Sequence, residues 1–271
     1  MKRLGLILGL AFFTAAGNVR AEEKLIIGGS GGIYDEVKEI AKLFQAKEPT
    51  GHIEIMSESM ATGATLDALK AGRLNLGLVG GSLTDEDKAR FAYRPIGRVP
   101  LGVGVNKALA VANLSDAQVC DIFAGKIKSW KEVGGGEGKI MVLTIIKKND
   151  TLMDSMRKHM ACLKELNLTP DAVVLNRSQE LQDAINVRPA TVGVVSVTSN
   201  MHELRPNLKA LAINGVVPSL ETAQSGKYKY FHEYGVATVG EPPAVSKRFL
   251  DFAAGPEGQK VFARRGLMTV R

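Results

Sequence analysis

Lys24-Leu25-Ile26-Ile27-Gly28-Gly29-Ser30-Gly31-Gly32-Ile33 is the stretch on which the fold turns: a short apolar run empties into a glycine-rich turn. Beyond it Ile33, Val37, Ile40, Ala41 and Phe44 recur at helical spacing, so the segment reads as strand, glycine turn, helix. The pattern then repeats. Ile53 and Ile55 mark a second strand, leading through Ser57-Glu58-Ser59-Met60-Ala61-Thr62-Gly63 into a helix that carries Ala64, Leu66 and Leu69. Thr62 is placed to cap that helix and Gly72 to end it. Leu74 to Val79 forms a third strand and is followed by Gly80-Gly81-Ser82. Such alternation predicts an α/β protein with a mostly parallel sheet flanked by helices, and ligands bound beyond the carboxyl ends of the strands. Helix N-termini, with free N–H groups and a positive dipole end, suit anions there.

The chain beyond Gly102 continues in a different character. Val103 and Val105 suggest a strand, Ser115 with Gln118 a capping box, and Gly125 the end of the helix that carries Val119, Ile122 and Phe123. Ile140 to Ile146 is a strongly apolar strand that ends at Lys147-Lys148-Asn149-Asp150-Thr151. A helix with Leu152, Met156, Met160 and Leu163 follows, and Thr151 with Asp154 offers a second capping box. A helix over Gln179 to Asn186 precedes strands at Thr191 to Val197, Leu208 to Ile213 and Val236 to Val239. Helices carrying Val245, Phe249 and Phe252, and another from Pro256, close the chain. No internal repeat or long linker separates these parts.

Lys2 and Arg3, an apolar run from Leu4 to about Ala16, and Val19-Arg20-Ala21 predict a secretory signal peptide over residues 1–21, cleaved after Ala21. Its apolar core is shorter than the roughly 20 residues a membrane span needs. Removing its basic residues lowers the formal charge from +7 to +4, and no basic patch interleaved with aromatics points to nucleic acid. Cys120 and Cys162 fall in predicted helices; an oxidising compartment permits a bridge, and two buried free thiols are the expectation over one. His52, His159, His202 and His232 lack metal-ligand spacing, and there is no Gly-x-Ser-x-Gly turn. Tyr34 stands where a dinucleotide fingerprint beginning at Gly29 needs glycine, so neither an enzyme nor a cofactor is expected.

Asp121-Ile-Phe-Ala-Gly-Lys-Ile-Lys-Ser-Trp-Lys-Glu-Val-Gly-Gly135 closely resembles a segment of the periplasmic phosphate-binding proteins that feed ABC importers. Residues 190–196, 208–216 and 249–259 resemble further segments of that family in the same order. The resemblance implies a two-lobed periplasmic-binding-protein type II fold with a ligand cleft between lobes, each lobe a mostly parallel sheet flanked by helices. One lobe would comprise residues 22–104 with 234–271, the other 105–233. It further implies a monomeric solute receptor in the periplasm that closes around inorganic phosphate or a related oxyanion and docks on an inner-membrane permease.

Carried over position by position, the family's ligand loops fall on Ser30 and Gly31; on Thr62, Gly63 and Ala64; on Gly81 and Ser82; and on Lys147 and Thr151. Ser30 and Thr62 match as oxygen donors, while Thr65 adds bulk. Two loops depart from the family. Gly80-Gly81 replaces a polar residue, often Asp or Ser, and Lys147-Lys148 replaces an arginine, which removes its bidentate fork. Lys147 and Lys148 read equally as ligand cations or solvated loop lysines. Ser82 reads as a donor or, preferably, as the cap of a helix beginning at Thr84-Asp85-Glu86, and Tyr34 as cleft lining or packing. The alternatives in function are a periplasmic interaction or sensory protein that has lost tight phosphate binding, and a receptor for a small organic anion in an enlarged site.

Overall fold

The computed structural model describes residues 23–49, 51–81, 83–146 and 151–269, so the expected leader lies outside the described residues. The strands are β1 (Glu23–Gly29), β2 (Gly51–Ile55), β3 (Leu76–Gly80), β4 (Ala92–Asn106), β5 (Asn113–Leu114), β6 (Met141–Ile145), β7 (Val173–Leu175), β8 (Thr191–Ser196), β9 (Leu208–Ile213), β10 (Phe231–Thr238) and β11 (Met268–Thr269). Among them run α1 (Tyr34–Lys47), α2 (Thr62–Lys70), α3 (Asp85–Lys88), α4 (Asp116–Phe123), α5 (Thr151–His159), α6 (Ser178–Val187), α7 (Met201–Leu204), α8 (Leu220–Gln224), α9 (Ala244–Ala254) and α10 (Pro256–Arg264).

Strand order is β2-β1-β3-β10-β4-β8-β6-β7, with β9 and β11 also on β4, and β5 on β9. β1 pairs parallel with β2 and β3, and β6 pairs parallel with β7 and β8, as strand–turn–helix alternation requires. β10 runs antiparallel to β3 and β4, and β4 antiparallel to β8 and β9. Parallel strands thus stand outside and the antiparallel pair β4–β10 passes through the middle. This is a mixed α/β architecture with helices flanking the sheet, as strand–turn–helix alternation predicts.

The two larger of the four apolar clusters among the described residues flank that pair. Leu25, Ile27, Val37, Ile40, Phe44 and Phe249 belong to one, where the Phe44 ring meets Phe249 and Phe252 edge-on at 5.7 and 5.6 Å. Phe123, Trp130, Met156, Val192 and Leu211 belong to the other. β4 gives Val99 to the first and Leu101 to the second, and the segment around β10 gives Tyr234 and Tyr230 in the same way. Trp130 is fully buried, and its indole N–H donates to the Ala190 carbonyl at 3.1 Å. Ser115 and Gln118 form the expected capping box on α4, with bonds of 3.2 and 2.9 Å.

Four expectations are corrected. Ala61 occupies the N-cap of α2 and Thr62 is its first residue. Thr84, not Ser82, caps α3, its hydroxyl accepting the Asp87 N–H at 3.1 Å. β4 begins at Ala92 and β10 at Phe231, well before the expected strand starts, because the early part of β4 is half-exposed and carries Arg94, Pro95 and Arg98 rather than an apolar alternation. Cys120 and Cys162 are joined in a disulfide with Cα atoms 6.1 Å apart, tying α4 to the turn at Ala161–Leu163. Both segments pack on one core, a proximity that 42 intervening residues hide from sequence reading.

The bridge closes a long loop of the unfolded chain, so replacing both cysteines by serine is expected to lower stability by about 2–4 kcal/mol. Urea unfolding of oxidised protein and double variant checks this; a difference below about 0.5 kcal/mol would show that the bridge adds nothing to the core.

Candidate functional site

The loops after β1, β2 and β3, the start of α5 and the first half of β10 converge on one point. β1 ends at Gly29, whose φ of +135° and carbonyl bond from the Met60 N–H at 2.9 Å bring the loop after β2 alongside. Ser30 follows, its own N–H donating to Leu78 at 2.8 Å and its hydroxyl making no cap bond. A Cβ on Gly31 would stand 3.0 Å from Ser59 Oγ. Thr62 donates its hydroxyl to the Gly80 carbonyl at 3.2 Å, which locks the start of α2 to the end of β3. Gly63 and Ala64 are exposed beside it, and by helix geometry their N–H groups have no acceptor within α2. Thr65 turns away: fully buried, it bonds the Ala61 carbonyl at 3.1 Å, and its methyl would lie 2.7 Å from a Cβ on Gly77. Its bulk is absorbed inside the domain.

Gly80 and Gly81 meet the rest of the site from the other side. Gly81, at φ +82°, donates its N–H to the Glu233 carbonyl at 2.8 Å. A Cβ on Gly81 would lie 3.9 Å from Thr151 Cβ, so the third loop stands against the first residue of α5 across the two cores. A Cβ on Gly80 would lie 2.9 Å from Ser30 Oγ and 3.2 Å from His232 Nε2. The glycine is therefore required by its neighbours, and an imidazole occupies the space beside it.

Of the residues expected to hold ligand, Ser30, Gly31, Thr62, Gly63, Ala64, Gly81 and Thr151 are brought into one region, while Ser82, Lys147 and Lys148 lie outside the described residues. Tyr34 packs instead of lining the cleft: it is buried and its hydroxyl donates to the Met56 carbonyl. Sequence reasoning missed Ser59, Ser155 and His232. Only Ser59 had a local signal, its place in a hydroxyl-rich strand-to-helix turn.

His232 is the electrostatic peculiarity of the site. It is 1% exposed, its Nδ1 lies 2.8 Å from Ser155 Oγ, and Tyr234 abuts its ring edge-on at 4.6 Å. Burial, reinforced by the Lys158 charge and opposed by a hydrogen bond to the Thr151 backbone, pushes its pKa down to about 3. The imidazole is thus neutral and tied to both ends of the first turn of α5. Just below, Arg98 grips Glu233 Oε2 with two bonds of 2.9 and 2.8 Å, and Tyr93 donates to Oε1 at 3.1 Å.

Three comparisons bear on this arrangement. A family model described as the PBP superfamily domain matches residues 14–257. The phosphate-binding protein PstS of Bacillus subtilis is 24% identical over 253 residues, covering 91% of this chain and 80% of its own length. A Clostridium perfringens protein solved with bound phosphate superposes with a TM-score of 0.80 at 22% identity, over 92% of this chain and 100% of its own. The ABC-type phosphate transport receptor of Vibrio cholerae gives 0.72 at 20% identity, over 90% and 99%. At these identities the structural likeness speaks for the fold.

The buried imidazole makes stability depend on pH. An unfolded histidine titrates near 6.5 and His232 near 3, so between those values the unfolded chain holds the extra proton. The contribution is complete above about pH 6.5 and is lost as pH falls toward about 3. His159, also lowered by burial, acts in the same direction and is common to wild type and variant. His232→Asn is expected to flatten the rise of urea-unfolding stability with pH over this window; an unaltered slope would mean that His232 is not buried as the neutral form.

Proposed function

The chain belongs to the PBP superfamily, and on that premise we propose that it is the periplasmic solute-binding protein of an ABC importer, with phosphate or a related oxyanion as its solute. The observation that carries the ligand class is the convergence of Ser30, the N-terminus of α2, Gly81 and Thr151 at the start of α5. Helix-terminal N–H groups donate and cannot accept, hydroxyls can turn their O–H toward an anion, and the helix dipoles favour negative charge there. Ser30 follows β1 of the first core, α2 packs beside it on a smaller cluster with Leu74, Val79 and Ala237, and Thr151 begins the helix that enters the second core, so an anion held by all three bridges the two sides.

Closure then follows from connectivity. The lobe division near Gly104 and Glu233 falls on β4, which enters both cores, and on β10, which enters the first core directly after Tyr230 of the second, and we place the hinge there. The closed form presents both lobes to an inner-membrane permease as a monomer. Lys147 is assigned the compensating cation in place of the family's arginine. A larger organic anion fits less well, because His232 takes up the space that the glycines of the third loop would otherwise leave.

Calorimetry on mature protein, stripped of carried ligand by unfolding and refolding, is expected to show micromolar or tighter phosphate binding, about 8 kcal/mol or more. Sulfate serves as the control. Ser30→Ala and Thr151→Ala should each weaken phosphate binding by about 1.5–3 kcal/mol, the range for a hydrogen bond to a charged group. No heat with either anion would favour a sensory or interaction protein on this fold. Binding indifferent to both substitutions would move the site elsewhere.

Gly80→Asp supplies the acid common in the family but drives its Cβ onto Ser30 and His232. It is expected to weaken phosphate binding at least about tenfold (~1.4 kcal/mol), and His232→Ala in the same chain to restore part of the loss. Additive losses in a double-mutant cycle would show that the two positions do not share the space.

A further inference from the structure

On the side of α5 away from β10, a cavity of about 430 Å³ opens between that helix, β6 and β7, and the segment from Lys164 to Pro170. This is at the small end of the range for ligand pockets, roughly 300–1,000 Å³. Its walls are mixed: Ile145, Leu166, Leu168, Ala172 and Val174 supply an apolar side, and Asp154, Arg157, Lys164 and Glu165 a charged one. Val174 lies on the edge strand β7 and is 58% exposed, high for a large aliphatic side chain. Set into these walls is the Arg157 guanidinium.

Arg157 is poorly satisfied for a charge that is mostly covered, with 22% of its side chain exposed. Its Nε is buried and has no hydrogen-bond partner among the described residues. Nη2 reaches only the Leu166 carbonyl at 3.4 Å, and Nη1 stands 3.7 Å from the Asp154 carboxylate, beyond hydrogen-bond range. A covered donor without an acceptor is unfavourable and rare in native proteins, and it marks a place where an acceptor belongs.

We propose that this cavity is a second ligand site, separate from the anion cleft, for a small carboxylate with an apolar body. The carboxylate meets the exposed part of the Arg157 guanidinium and draws the covered Nε–H toward the cavity as a second donor, giving the two-bond geometry in which guanidinium exceeds ammonium. The body covers Val174, Leu166 and Leu168. Asp154 and Glu165 offset the charges of Arg157 and Lys164 in the lining, so the cavity suits a single carboxylate better than a dianion, which separates this chemistry from that of phosphate. The Cys120–Cys162 bridge fixes the turn immediately before Lys164, so one wall is held in place before a ligand arrives. Asp154 and Arg157 line the cavity while Ser155 faces His232, so the two sites use different faces of one helix.

Octanoate and octanol, which share a body and differ in charge, test this on ¹⁵N-labelled protein in excess inorganic phosphate, so that failure of the phosphate reading does not affect the result. Saturable octanoate-induced amide shifts are expected at Thr144, Arg157, Leu166, Leu168 and Val174, with octanol at least about tenfold weaker. Arg157→Met, if its melting temperature shows it folded, should lose octanoate by a similar factor. No shift up to about 10 mM octanoate, shifts confined elsewhere, or equal binding of octanol would overturn the proposal. The octanol comparison needs no variant and decides the matter even where Arg157→Met does not fold.

Discussion

The antiparallel pairing of β4 with β10 is the constraint on which the rest of this molecule depends. A chain passing between two cores must keep its peptide groups hydrogen-bonded, and two crossings satisfy each other when laid side by side. The register runs from Phe231 on Pro100 to Thr238 on Ala92, with a shift between Tyr234 and Gly235. Gly235 lies under the Tyr93 ring, which a Cβ would meet at 2.2 Å, and the same tyrosine hydroxyl reaches Glu233. Arg98 closes the pair from β4 onto Glu233 of β10, and the guanidinium also covers the Phe231 ring at 4.5 Å. A ladder, an ion pair with two bonds to one carboxylate oxygen and a ring contact thus coincide within a few residues, and His232 lies among them.

The outer, parallel parts of the sheet were legible in the sequence because each is a local unit. An apolar run, a glycine turn and an apolar helical stripe within about thirty residues report themselves without help from the rest of the chain. Lys24 to Phe44 is such a unit, and β1 with α1 stands where that pattern puts them. β4 is not such a unit. Its early residues are stabilised by strands from the far end of the chain, so Tyr93, Arg94, Pro95 and Arg98 carry no apolar period to betray them. The same applies to β10, which begins at Phe231, five residues before the apolar run that starts at Val236.

Side-chain chemistry divides in the same way. Ser30, Thr62 and Thr151 stand at strand-to-helix turns, which are local units and can be placed from the chain alone. Ser155 and His232 could not, since 77 residues separate two atoms 2.8 Å apart. The paired cysteines escaped for the same reason. Thr65 escaped in the opposite sense: bulk at a position usually glycine suggests an obstructed site until the buried contact with Gly77 shows where that bulk goes.

Read from the chain alone, Gly80-Gly81 is a loss, since a polar side chain is missing from a ligand loop. In three dimensions the loop has room for little else. An acid at position 80 and an imidazole at 232 compete for one volume, because Ser30 Oγ and His232 Nε2 already stand 2.9 and 3.2 Å from where a Cβ would be. Filling that volume from β10 instead of from the loop has a consequence. A loop side chain can move with its own lobe, but His232 stands on β10 between Tyr230 of the second core and Tyr234 of the first and is fastened through Ser155 and Thr151 to α5. Its position is therefore set by the relative placement of the two cores. A neutral imidazole is the titratable group best suited to such a place: burying an ion there would carry a large desolvation cost, whereas histidine gives up its charge at little cost near neutral pH. The glycines and the histidine are one solution to one packing problem, in which polar character has moved from a loop to the strand that joins the two halves of the protein.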